Sequence, residues 1–170
     1  MIVKDTPLKE VLKLTHPCKC NACEIGCEYG SGFLIGEDSK NIARFLNITE
    51  KELKEKFLEE VEQFNTKLLR PKLERKDNKP YGKCIFFDER GCKVHKVKPL
   101  QCKVSMGCKE YGEQLTIWFM LNHEVNTNDP ESIRQYNIYL KSGGKTLKGG
   151  ELESLVPDKQ KLKKIIENEN

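Results

Sequence analysis

The sequence predicts a small, irregular α+β domain with several helices, a short β-hairpin and a cysteine-rich metal centre that stabilises it. Three observations predict this. Capped stretches with apolar residues at helical spacing recur along the chain. One stretch around Gly91 has the spacing of a hairpin. All eight cysteines fall in two runs: Cys18, Cys20, Cys23 and Cys27, then Cys84, Cys92, Cys102 and Cys108. A length of 170 residues suits one domain. Apolar residues make up 37% and charged residues 33%, so the core is lean and cross-linking by a metal would reinforce it. Lys and Arg total 30 against 26 Asp and Glu, and the resulting +4 is too mild to single out nucleic acid as a partner.

The elements follow in order. Residues 5–14 read as a short helix, capped by Asp5 or Thr6, with Pro7 in its first turn and Leu8, Val11, Leu12 and Leu14 on one face. His16 and Pro17 end it, and the first cysteine run begins at once. Gly26, Gly30 and Gly32 allow tight turns in which backbone N–H groups point at sulfur. Residues 38–46 read as a helix capped by Asp38 or Ser39, with Ile42, Phe45 and Leu46 turned inward. Thr49 and Glu52 form a capping box. The apolar series Leu53, Phe57, Val61, Phe64, Leu68 extends that helix to Arg70 and Pro71.

Residues 71–83 are polar and basic and read as a surface loop. Cys84 to Phe87 and Cys92 to His95 read as two strands joined by four residues, which draws Cys84 and Cys92 together. The apolar run 115–121 reads as a buried strand, although periodicity leaves a helix open. Asp129 and Pro130 open a helix that runs to Leu140, and residues 157–167 form a terminal helix docked by Leu162, Ile165 and Ile166. Residues 1–128 are assigned to the cysteine-cluster domain and 129–170 to a helical extension packed on or tethered to it.

Nothing at the N-terminus resembles a charged-then-apolar leader, and no window is apolar enough to span a membrane. The chain therefore reads as cytoplasmic. Cysteines in that compartment serve metals or redox chemistry more often than disulfides, although an even count would also permit four bridges. Thiolate is a soft donor suited to zinc and iron. Cys20 and Cys23 make a two-residue chelating bite. Cys18 and Cys20 share a face if extended, and Cys23 and Cys27 share one if helical. Closing the 57 positions between Cys27 and Cys84 costs about 3–4 kcal/mol. A structural zinc–thiolate site returns about 10–16 kcal/mol, so one site can draw on both runs. Two tetrathiolate sites, one mixed site, or a multinuclear cluster all fit this spacing. Lys83, Arg90, Lys93, Lys96, Lys98, Lys103 and Lys109 would offset thiolate charge. His95, His16 and Glu24 are further ligand candidates, and His123 reads as structural or exposed.

Cys20-Asn-Ala-Cys23, then Cys84, Cys92, Val94, His95, Pro99, Cys102 and Lys103, and finally Gly107 and Cys108 stand in a characteristic order. This series resembles the YkgJ-type cysteine-cluster family of zinc- or iron-chelating proteins. The stretch from Phe33 to Leu46 is similar to the helix which that family places after its first cluster. The chain departs from the pattern in lacking a Cys-Cys doublet: Glu24 follows Cys23, and Cys27 comes later. His95 stands at the family's Tyr position, and Lys98 and Lys103 stand at its Arg positions. The resemblance implies metal chelation, and the ligands expected from the two runs are the eight cysteines. It implies no reaction.

The cofactor expected is an iron–sulfur cluster, with 4Fe-4S among the types considered, or zinc. The expected role is electron transfer or the handling of clusters and metal. The alternative is a structural zinc module that binds a protein or RNA partner through a basic loop at 67–83. No membrane partner is expected. No HExxH, phosphate loop or nucleophile elbow is present, so the balance falls against an enzyme.

Overall fold

The computed structural model describes residues 1–15, 21–105 and 110–167, with the backbone alone at Ala22 and Cys23. Among these residues the chain forms nine α-helices and three two-stranded antiparallel sheets, an α+β arrangement. Helix α1 (Leu8–Leu14) starts directly after Pro7 and has no side-chain cap. Thr6 instead accepts from the Val3 N–H through Oγ1. Helix α2 (Asn21–Tyr29) carries the end of the first cysteine run. Helix α3 (Asp38–Leu46) buries Ile42 completely, whereas Phe45, expected inside, is 45% exposed.

Helix α4 (Glu50–Phe57) has the expected capping box. Thr49 Oγ1 accepts from the Glu52 N–H at 3.1 Å, and Glu52 Oε2 accepts from the Thr49 N–H at 3.0 Å. The helix then stops well short of Pro71. Leu58 is extended, and β1 (Leu58–Gln63) pairs with β2 (Thr66–Pro71). Phe64 and Asn65 turn between them with φ of 48° and 56°, the left-handed pair of a type I′ hairpin. The apolar series misled because Val61 and Leu68 are direct cross-strand partners. A two-residue hairpin satisfies the same spacing that a helix would.

Shorter strand pairs and helices complete the middle of the chain. β3 (Leu73–Glu74) pairs with β4 (Lys83–Cys84), so the expected loop is anchored at both ends. β5 (Phe87–Asp88) pairs with β6 (Gly91–Cys92), so the expected hairpin exists but is shorter. Cys84 faces Leu73 across a ladder rather than Cys92. A 3₁₀ turn follows at His95–Val97, then α5 (Leu100–Val104).

The run expected as a buried strand is α6 (Gly112–Phe119), continued by a π-helical turn at Met120–Glu124. Leu115, Ile117, Trp118 and Phe119 are all buried. A helix buried nearly all round shows no period, so the run could not reveal its type. Helices α7 (Pro130–Lys141), α8 (Leu152–Leu155) and α9 (Lys159–Ile166) follow. Leu162 and Ile165 of α9 are buried, and Ile166 packs partly buried against the same cluster.

Two apolar clusters form the core. One gathers Ile2, Val11, Phe33, Leu100, Val104 and the buried face of α6 with Tyr136, Leu155 and Leu162 of the C-terminal helices. The other gathers Leu34, Ile42, Leu53, Leu58, Cys84, Phe86 and Val94. Consecutive residues Phe33 and Leu34 enter different clusters, as an extended segment requires. The Leu34 N–H donates to Leu69 O at 2.8 Å and fixes that segment against β2.

Candidate metal centre

A cavity of about 80 Å³ is lined by Cys27, Cys84, Cys92 and Cys102 together. Four local structures supply them. Cys27 comes from the last turns of α2, Cys84 from the end of β4, Cys92 from the end of β6 and Cys102 from the middle of α5. Each element is short; β4, β6 and α5 are held by the apolar clusters, whereas α2 places no described side chain in either cluster and packs against β4. Phe86 and Val94 are buried beside Cys84 and Cys92, and Leu100 and Val104 flank Cys102.

The segment between α2 and α3 is fixed to α5 by side chains remote in sequence. Gln101 Oε1 accepts from the Phe33 N–H at 2.7 Å. Asp38 Oδ2 accepts from the Ile35 N–H at 2.8 Å and from the Leu100 N–H at 2.9 Å. Ser31 donates to Pro71 O at 2.6 Å. Held this way, the Gly32 N–H donates to the Cys102 sulfur. A Cβ at Gly32 would fall on that sulfur and within 2.9 Å of the Cys102 nitrogen. The Phe86 N–H donates to the Cys84 sulfur in the same manner. Backbone donors to sulfur are a recurring feature around metal thiolates.

Electrostatics at the cavity follow from crowding of like groups out of water. Burial, with Cys27, Cys92 and Glu74 nearby, pushes the Cys84 thiol up to about 12. Burial also pushes the Cys102 thiol well above the usual range, and Cys84, Cys27 and Cys92 add to this. Four thiolates cannot ionise side by side without a cation to hold them. Arg90, Lys98 and His95 line the cavity as well, as does Glu24. Arg90 and Lys98 stand where they would offset anionic charge. Lys93 and Lys83 are engaged elsewhere, with Asp88 at 3.6 Å and Glu74 at 3.4 Å.

Of the eight cysteines expected as ligands, these four meet at one place. The backbone of Cys23 lies in α2, four residues before Cys27. Cys18, Cys20 and Cys108, and also His16, lie outside the described residues. Among the described residues, no group of three or more His, Cys, Asp or Glu side chains is placed to hold a metal ion as it stands. The four sulfurs therefore line a space rather than converge on a point. His123 is away from the cavity, packed with its ring 4.9 Å from Phe119 and 5.7 Å from Trp118. Gly26, expected in a turn, is helical. Asp38 and Gln101 carried no spacing signal, because their partners lie 62 and 68 positions away.

The donor set suits a thiophilic metal: several sulfurs on one cavity, N–H groups aimed at two of them, and cations at the lining. Cys27, Cys84, Cys92 and Cys102 would hold such a group, and Gly32 permits the backbone approach that it needs. The family model CxxCxxCC, described as a "putative zinc- or iron-chelating domain", matches residues 19–124. The match spans more than half of the chain, and the protein belongs to this family, in agreement with the resemblance read from its cysteines. No curated protein and no solved structure matches the chain.

Proposed function

We propose that this protein binds iron or zinc through its cysteine thiolates, and that the resident group is an iron–sulfur cluster, 4Fe-4S included. Its role is to transfer electrons or to hand on clusters or metal, in the cytoplasm. One observation carries this reading: four cysteines as far apart as positions 27 and 102 line a single small cavity. Membership of a zinc- or iron-chelating family supports the choice of metals. An all-sulfur donor set supports iron–sulfur chemistry, since such clusters are held by thiolates. No helix of the described residues is long and apolar enough to cross a membrane.

The test is single serine replacement at Cys27, Cys84, Cys92 and Cys102, with metal per chain and soluble yield measured for each. Loss of metal in most variants is the expected result. Full metal content in all four would remove these residues from the site. The second reading is a structural zinc module that binds a protein or RNA partner. It is favoured by the basic, aromatic cleft between α2 and the β3–β4 connection.

A further inference from the structure

That cleft has a volume of about 710 Å³, within the roughly 300–1,000 Å³ of small-ligand sites. Its walls are Tyr29 from α2 and Tyr81 from the β3–β4 connection, with ring centroids 5.9 Å apart at 62°. Both rings are unusually exposed, Tyr29 at 61% and Tyr81 at 45%. Burial in the core therefore does not account for either. The Lys79 ammonium stands 5.7 Å from the Tyr81 ring centre, and Lys76 lines the same cleft.

The charges divide into two sets. Arg75 is committed to Glu59, with two guanidinium nitrogens on the carboxylate at 2.8 and 3.0 Å. Lys83 faces Glu74 at 3.4 Å. Among the described residues, Lys76 and Lys79 have no carboxylate partner, and Glu28, also in the lining, has no cationic one. The cleft thus presents two ammonium groups without a carboxylate partner, two exposed tyrosine rings and one carboxylate without a cationic partner.

We infer that this cleft binds single-stranded RNA. Bases stack on exposed tyrosine faces, and ammonium groups neutralise the phosphates that connect the bases. A carboxylate at the rim accepts from a ribose 2′-hydroxyl, the group that separates RNA from DNA. The cleft is of nucleotide scale, and a duplex keeps its base faces stacked within itself, so a single strand is the form that fits. This deepens the second reading above and rests on its partner, not on its metal. The site shares α2 and β4 with the metal cavity, since Cys27 lies two residues from Tyr29 and Cys84 lies next to Lys83.

The experiment measures fluorescence anisotropy of labelled single-stranded RNA, the matching DNA strand and the RNA duplex against the full-length protein as purified. Metal content is determined on the same samples, so failure of RNA binding is distinguished from failure of the metal assignment. Single-stranded RNA is expected to bind more tightly than the DNA strand or the duplex. Tyr29→Ala and Tyr81→Ala should each weaken binding roughly 5- to 150-fold. Lys76→Glu with Lys79→Glu, both exposed changes that leave the core intact, should weaken binding. The same pair should reduce the salt slope by about 0.7 for each phosphate no longer neutralised. Glu28→Gln should narrow the preference for RNA over DNA. No binding at low salt overturns the inference. So does equal binding of the duplex, or binding that the tyrosine and lysine changes leave untouched.

Discussion

The backbone N–H of Gly32 donates to the sulfur of Cys102, with no room between them for a side chain. This hydrogen bond joins the segment after the first cysteine run to the helix that carries Cys102. It exists because Gln101 and Asp38 hold residues 33–35 against α5. Gly32→Ala is expected to displace Cys102, cost about 1–3 kcal/mol of stability, and lower metal retained per chain. Denaturant unfolding together with elemental analysis reads both effects.

Asp38 is 8% exposed, and one of its carboxylate oxygens serves two backbone donors, Ile35 just before α3 and Leu100 at the start of α5. Asp38→Ala strands both N–H groups and should cost about 2–4 kcal/mol. Asp38→Asn keeps an oxygen in place and should cost less. Equal losses in the two variants, by urea unfolding, would show that the acceptor is not what matters.

The thiols of Cys84 and Cys102 are pushed up by burial and by neighbouring cysteines, so a metal must displace their protons. Metal affinity should therefore rise between about pH 6 and pH 8, by roughly tenfold per pH unit for each proton released. Competition against a chromogenic chelator across that range measures the slope. A flat profile would mean that these thiols do not ionise on binding.

Glu124 lies buried in the π-helical turn, where its Oε1 accepts from Gln101 Nε2 at 3.3 Å. Burial raises its carboxyl to about 7, above the unfolded value of about 4.3. A group with a raised folded pKa contributes stability that is fully present below the unfolded pKa and lost as pH rises through the folded one. The loss between those two values is about 3–4 kcal/mol at most. Glu124→Gln keeps an acceptor for Gln101 and removes the titration. The wild type should be most stable relative to that variant at about pH 4, with the difference falling until the pH passes about 7. Paired urea melts at each pH cancel the metal's own pH dependence.

What the sequence disclosed depended on whether the signal was local. The Thr49 capping box, the Asp129 cap with Pro130 after it and the apolar face of α9 are local, and each element stands where its signal lies. The series Val61, Phe64, Leu68 is local too, but a two-residue hairpin and a helix give it the same spacing, and only the left-handed turn at Phe64 and Asn65 separates them. The cysteines announced a metal centre by type and order. The meeting of four of them at one cavity depends on Gln101 and Asp38, whose partners lie across the fold and leave no trace in spacing.

Whether these sulfurs serve a metal is settled by anaerobic purification followed by absorbance and elemental analysis for iron, zinc and acid-labile sulfide. Coloured protein with iron and sulfide in near-equal amounts is the expected result. Colourless protein with zinc would keep the thiolate site but transfer its role to the structural module. Protein with neither metal and with oxidised cysteines would contradict the assignment of these sulfurs to a metal.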